Sequence, residues 1–266
     1  HNSFRISISW SRLFPDGGTG EVNQKAVIFY RDMLSEMVKN GVRPFANLYH
    51  FDMPFKLQEI GGWESREVVK AYVNFATTCF KEFGDLVFHW FTFNEPLGPI
   101  LGSYLEDFHY PNIIDFKRGA QAAFNTILAH AMAVKSFKEL NLDSKIGVIL
   151  NLSPTYPRSQ NKWDVEAAEI VDAFYTKSFL DPMVKGTFNE KLVSILKEYD
   201  QMPEYTEDDL KIISENTSQI LGLNYYEPRR VKARLTEVNK NSHFLPEWFI
   251  EFHNMTVKLI NTYSGW

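Results

Sequence analysis

Glu95 stands between Asn94 and Pro96, directly after the apolar run 87–93. A carboxyl group at a buried strand end, with Trp90, Phe91 and Phe93 as neighbours, is walled from water. Such walls disfavour the charged form, as a general acid at neutral pH requires. The spacing fits equally a glutamate at a helix N-terminus or in a salt bridge. His50 and Asp52 follow a second apolar run. Zinc takes three or four protein ligands, and no third is spaced near this pair. A neutral imidazole donating to a ligand hydroxyl is the better functional reading, with a structural histidine as its competitor. Arg5 alternates with Ser7 and Ser9 on one strand face. An interior cation implies a buried carboxylate partner. That pair is either plainly structural or sets a cation beside a catalytic carboxylate.

Other candidates have bland readings. His130 lies in a helical run, Leu128-Ala129-His130-Ala131, and reads as a hydrogen-bonded core residue. Glu166 and Glu169 read as the solvated face of a helix. Cys79 cannot form an internal disulfide and falls in an apolar helical stripe, so it reads as a buried thiol in a chain compatible with a reducing, cytoplasmic setting. No phosphate-cradling glycine loop, no Gly-x-Ser-x-Gly elbow and no cysteine cluster occurs.

Short β-branched or aromatic runs alternate with segments of helical period, which argues for βα units and a parallel sheet. Strands are expected at 4–9, 43–48, 87–93, 146–150 and 220–225. Asn23 and Ser65 are spaced to cap helices, with apolar stripes at Val27, Tyr30, Leu34, Met37 and Val38 and at Val69, Tyr72, Ala76, Cys79, Phe80 and Phe83. A long helix is expected over 116–140 and further helices between 163 and 215. Polar or aromatic residues follow the strands: Tyr49, His50 and Asp52, then Asn94 and Glu95, Asn151, and Asn224 with Tyr225 and Tyr226. In a parallel barrel these ends share the face that carries active sites. Five strands are visible, three fewer than a closed eight-stranded barrel needs, so two open edges are expected.

The 266 residues, 44% of them hydrophobic, suffice for one sizeable core, and residues 1–266 read as a single incomplete domain. A net charge of −5 builds no basic stripe, so nucleic acid is not an expected partner. No run of about 18 apolar residues marks a membrane span, and no signal-peptide pattern is present. The opening at His1, almost directly on a strand-like run, reads as a cut end.

The chain resembles the family-1 glycoside hydrolases. The matching runs are Phe4-Arg5-Ile6-Ser7-Ile8-Ser9-Trp10-Ser11-Arg12, Leu48-Tyr49-His50-Phe51-Asp52-Met53-Pro54, Gly61-Gly62-Trp63, Thr92-Phe93-Asn94-Glu95-Pro96, Leu221-Gly222-Leu223-Asn224-Tyr225-Tyr226 and Ser264-Gly265-Trp266. They occur in the family's order over essentially the whole chain. The resemblance implies a (β/α)8 TIM barrel, of which this chain covers about the second to sixth βα units. It implies that Glu95 is the catalytic acid/base. It makes Asn94 the partner of the sugar 2-hydroxyl and His50 a ligand of the non-reducing sugar, the glycone. It sets Arg5 and Tyr226 against the nucleophilic glutamate and makes Trp266 an aromatic platform at the site's mouth.

The family carries that nucleophile in a Thr-Glu-Asn-Gly run, which the 266 residues do not contain. The chain alone is therefore expected to be inactive, although the complete enzyme is a retaining β-glycosidase needing neither metal nor organic cofactor. Phe51 stands where many members have tryptophan. Together with the runs Phe108-His109-Tyr110-Pro111 and Glu227-Pro228-Arg229-Arg230, it resembles the bacterial 6-phospho-β-glucosidase branch. The expected substrate is a small β-glycoside or 6-phospho-β-glycoside. The alternatives are a plain β-glucosidase or β-galactosidase, and a non-catalytic glycosidase-like fragment or sugar-binding module. Oligomeric state is not legible.

Overall fold

The computed structural model of the chain describes residues 1–252, apart from 19, 240 and 241. Eight strands occur among them: β1 (Ser3–Ser7), β2 (Arg43–Tyr49), β3 (His89–Asn94), β4 (Lys145–Asn151), β5 (Thr155–Pro157), β6 (Ile220–Asn224), β7 (Arg229–Ala233) and β8 (Ile250–Phe252). β1, β2, β3, β4 and β6 form one parallel sheet in that order, a curled half of a barrel. Every C-terminal strand end therefore lies on one face.

The helices between the strands begin where side chains can take up their first amide hydrogens. Asn23 Oδ1 accepts from Lys25 N at 3.1 Å to start Gln24–Lys39, and Ser65 Oγ from Glu67 N at 3.3 Å to start Arg66–Phe83. Asp115 Oδ1 accepts from Arg118 N at the head of Phe116–Glu139. These helices bury the expected stripes against the sheet, except that the first stripe ends at Leu34: Met37 is half-buried and Val38 is 46% exposed in the last turn of its helix. Trp10 stacks on Phe75 with centroids 5.4 Å apart, and Tyr72 on Phe93 at 4.7 Å. Cys79 is fully buried there, and burial pushes its thiol well above the ordinary range. Beyond β4 come Lys162–Asp172, Glu190–Glu198 and Glu207–Glu215, linked through two π-helical turns, Ala173–Lys177 and Asp181–Lys185. Glu166 and Glu169 face solvent, sharing Lys191.

Three features depart from the sequence expectation. β1 stops at Ser7, because Ser9 instead precedes a short helix, Trp10–Leu13. Leu97–Tyr104 is a helix immediately after Glu95. β5, β7 and β8 build a second small sheet, with β7 parallel to β5 and antiparallel to β8. Its strands are three to five residues long and include Pro157 and the Arg229-Arg230 pair, so they carry no alternating apolar signal.

β1 and β6 each have one neighbour in the large sheet. Ser3, Phe4, Arg5 and Ser7 are exposed in β1, and Leu221 and Leu223 in β6 are 44% and 58% exposed. β2 to β4 are largely buried. β4 and β6 meet closely at Gly147, where a Cβ would lie 1.8 Å from the Ile220 carbonyl oxygen. Only glycine permits that approach.

His130 is the buried core histidine that its setting implied. Thr92 Oγ1 donates to Gly147 O and so accepts from His130 Nδ1 at 2.7 Å, while Nε2 faces Ser218 Oγ at 3.3 Å. Burial lowers its pKa to about 4, against a small opposing effect from the Met183 backbone. The unfolded chain therefore binds this proton more readily than the folded one between about pH 6.5 and 4. Stability from this group is complete above pH 6.5 and falls as pH drops through that window, by on the order of 3 kcal/mol. Melting curves from pH 7.5 to 4.5 should show a loss of Tm that His130→Gln flattens, even if the variant starts lower. Parallel slopes for the two proteins would refute this assignment.

Candidate active site

Asn94 is the hub of the site. It ends β3, is 2% exposed, and binds three partners, two on other strands and one just past a third. Arg5 Nη1 of β1 donates to its Oδ1 at 3.2 Å, and Asn224 Nδ2 of β6 donates to the same oxygen at 3.1 Å. Its own Nδ2 lies 3.2 Å from His50 Nε2, just past β2. The amide nitrogen has only hydrogens to offer, so Nε2 must accept. The imidazole proton then resides on Nδ1, which faces Ser7 Oγ at 3.4 Å. His50 is thus neutral. Burial lowers its pKa, the Arg5 charge adds to this, and Glu95 and Asp52 oppose it.

Glu95 follows at once. Its backbone N–H donates to Ile149 O of β4 at 2.8 Å, and its carboxylate Oε1 accepts from Asn224 Nδ2 at 2.6 Å. It has φ +46°, in the left-handed region that non-glycine residues rarely occupy. Phe51, after β2, has φ +73°. Strain of this kind persists where surrounding bonds over-determine the backbone, and it concentrates at functional sites.

The cause of this backbone turn is visible in β3. Its register against β4 shifts between Phe91 and Asn94. Phe91 stacks on Phe45 at 6.3 Å, on the inner face. Thr92 and Phe93 both point outward, to His130 and to Tyr72, and Tyr72 Oη donates to Thr92 O at 2.6 Å. The irregularity re-aims the next two side chains, Asn94 and Glu95, as bulges beside active sites do.

Several sequence expectations change here. Trp90 packs on Phe80 and Phe93 on Tyr72, so neither ring walls Glu95. Arg5 has no buried carboxylate partner among the described residues. Its Nη1 is held by the Asn94 amide oxygen. Asp52 does not pair with the His50 ring. It accepts from the backbone N–H of Trp10 at 3.2 Å and of His50 at 3.4 Å, which fixes the two loops together. Burial raises the Asp52 pKa against those bonds. Tyr226 lies past the end of β6, is 71% exposed and makes no hydrogen bond among the described residues. Trp266 lies outside the described residues. Asn224 is the functional residue that had no role assigned from sequence. Its position at an apolar strand end marked it as polar, yet only the fold shows that it spans Asn94 and Glu95. No group of three metal-ligating side chains occurs among the described residues, and no described helix is long and apolar enough to cross a membrane.

The family model described as "Glycosyl hydrolase family 1" matches residues 1–257. The chain is 53% identical, over its whole length and 57% of the relative's, to "6-phospho-beta-glucosidase GmuD" of Bacillus subtilis. It is 41% identical, over 84% of its length and 50% of the relative's, to "Beta-glucosidase A" of Acetivibrio thermocellus. A solved structure of the Thermotoga maritima β-glucosidase, in complex with deoxynojirimycin, superposes with a TM-score of 0.84 at 33% identity, over 95% of this chain and 54% of that one. The chain spans little more than half the length of the relatives it matches.

Proposed function

The chain belongs to glycosyl hydrolase family 1, and from that premise we propose that it carries the acid/base half of a retaining β-glycosidase, with Glu95 as the proton donor. The observation that carries this reading is the bridge from Asn224 Nδ2 to both Asn94 Oδ1 and Glu95 Oε1, at 3.1 and 2.6 Å. It holds one carboxylate oxygen and leaves Oε2 to hold the proton. In the first step a second carboxylate attacks the anomeric carbon while Glu95 gives its proton to the departing glycosidic oxygen. In the second, the Glu95 carboxylate takes a proton from water, whose oxygen bonds to the anomeric carbon as the ester bond breaks. Asn94, with Nδ2 on His50 and Oδ1 on Arg5 and Asn224, is pre-oriented to meet the sugar hydroxyl beside that carbon. His50 is neutral and sits on the same rim.

The substrate we infer is a 6-phospho-β-glucoside. Phe51 and the identity to the Bacillus 6-phospho-β-glucosidase support it. A plain β-glucoside is the second reading, favoured by the identity to the Acetivibrio β-glucosidase. A buried, pair-less Cys79 is in keeping with action in the cytoplasm. The test is stereochemical. The full-length protein, given an aryl β-glycoside in an NMR tube, should release the β-anomer of the sugar first, with the α-anomer appearing only by mutarotation. The α-anomer as first product would exclude the two-carboxylate displacement. No product from any β-glycoside would favour a non-catalytic sugar-binding module.

A further inference from the structure

His130 lies on the far side of the sheet from the site, yet it is tied to the three strands that hold Glu95. It is 1% exposed, within the helix Phe116–Glu139. Burial lowers its pKa to about 4, so the ring is neutral and has one N–H and one lone pair to place. Nδ1–H donates to Thr92 Oγ1 of β3 at 2.7 Å, and that hydroxyl donates on to Gly147 O of β4 at 3.1 Å. Nε2 accepts from Ser218 Oγ at 3.3 Å. Ser218 stands two residues before β6, its own N–H fixed to Met183 O at 2.9 Å. The first of these strands leads directly into Glu95. The second offers the Ile149 carbonyl that the Glu95 N–H meets at 2.8 Å, and the third carries Asn224, which meets its carboxylate at 2.6 Å.

What these bonds secure is an extra residue. Phe91 pairs with Gly147 and Asn94 with Ile149, so β3 takes three steps where β4 takes two. Thr92 and Phe93 therefore both point away from the site, and Asn94 points into it. In a regular strand the faces alternate, and Phe93 would point in and Asn94 out. An extra residue interrupts the ladder and leaves backbone groups to be satisfied elsewhere. Tyr72 Oη takes the Thr92 carbonyl at 2.6 Å, and the Thr92 hydroxyl bonds across to β4 where the ladder breaks. His130 aims that hydroxyl. Its ring N–H occupies a lone pair on the oxygen and leaves the hydroxyl hydrogen directed at Gly147 O.

We propose that His130 is a positioning residue for the proton transfer: through Thr92 it holds the extra residue of β3 and so sets where the Glu95 carboxyl stands. The inference rests on Glu95 being the proton donor. A general acid works only within hydrogen-bond reach of the atom it protonates, and a displacement of about 1 Å costs on the order of a hundredfold. An imidazole and a hydroxyl that never touch substrate thus govern the rate through geometry. Asn94 depends on the same extra residue, but it meets the sugar, which is common to all glycosides of one kind. The Glu95 proton matters only where the leaving oxygen needs one. Loss of the tie therefore falls selectively on poor leaving groups.

The test compares kcat/KM of the full-length protein for the methyl and 2,4-dinitrophenyl β-glycosides of whichever sugar the unaltered enzyme cleaves. Thr92→Val keeps the shape of the side chain and removes its hydroxyl, whereas Thr92→Ser keeps the hydroxyl. Thr92→Val should lose roughly ten- to hundredfold on the methyl glycoside relative to the dinitrophenyl one, and Thr92→Ser should retain most of the original ratio. Should Thr92→Val not fold, His130→Asn and His130→Gln carry the comparison. The Asn amide can replace Nδ1 and keep the Thr92 bond, while the Gln amide reaches Ser218 in place of Nε2, so only the Gln variant should show the selective loss. A merely structural role lowers Tm and leaves the ratio of the two substrates unchanged. An unchanged ratio in folded Thr92→Val or His130→Gln would overturn the proposal. If the full-length protein cleaves neither glycoside, the reading of Glu95 fails by itself, and a crystal structure of Thr92→Val decides the positioning. Glu95 Oε1 out of reach of Asn224 Nδ2 is the expected result, and the contact retained would overturn it.

Discussion

Replacing Glu95 by glutamine in the full-length enzyme should slow β-glycosides with poor leaving groups by about 10²- to 10⁴-fold, the range over which general acid–base groups act. Glutamine fills the same space and can still meet Asn224 Nδ2 through its carbonyl oxygen, so the contact at 2.6 Å has a neutral substitute. What is lost is the proton on Oε2. An alkoxide leaving group must be protonated as it departs and suffers the full loss. A nitrophenolate leaves without help, so the glycosyl-enzyme still forms. It then accumulates, because the same residue is needed to activate water in the second step. The measurement is a pair of kcat/KM values, with pre-steady-state release of the phenol. A burst of phenol followed by a slow phase is expected from the activated substrate. Equal loss of kcat/KM on both substrates, with no burst, would show that Glu95 holds structure or substrate and moves no proton.

Much of the frame that positions Glu95 is legible in sequence, for a physical reason in each case. β2, β3 and β4 are buried on both faces and read as near-continuous apolar runs, and the capping side chains of Asn23 and Ser65 stand one residue before their helices. Polar residues at the ends of such runs are out of place in a core, so Asn94, Glu95 and Asn224 stand out. What periodicity does not encode is where a register shifts. The irregularity in β3 depends on Thr92 binding His130 at 2.7 Å and on Tyr72 clamping the Thr92 carbonyl at 2.6 Å, contacts from helices remote in sequence. For Arg5 the fold adds a partner that no strand pattern encodes, the Asn94 amide, whose oxygen accepts from Nη1 at 3.2 Å.

In the full-length enzyme a 6-phosphorylated aryl β-glucoside should be preferred over its unphosphorylated counterpart by on the order of a hundredfold or more in kcat/KM. A site that hydrogen-bonds a dianion leaves those donors unpaired when the phosphate is missing, and unpaired buried donors are costly. With a net charge of −5, the chain offers no general attraction for an anion, so the preference must be local. Phe51 is the residue on this side that bears on it. It sits in a left-handed backbone position beside the His50 ring, with centroids 5.0 Å apart. Its Cζ lies 3.7 Å from the point a Cβ on Gly98 would occupy, so the ring leans on the turn that follows Glu95. The larger indole of a tryptophan has to find room between the His50 ring and Gly98, and so alters the wall that the phenyl ring makes there. Because Phe51 is the residue by which the chain resembles the phospho-branch, Phe51→Trp is expected to lower kcat/KM for the phosphorylated sugar more than for the neutral one. The same pair of aryl glucosides, assayed side by side on both proteins, measures the preference and its dependence on Phe51. Comparable values for the two sugars in the unaltered enzyme would move the protein to the plain β-glucosidase branch and leave the proton transfer by Glu95 untouched.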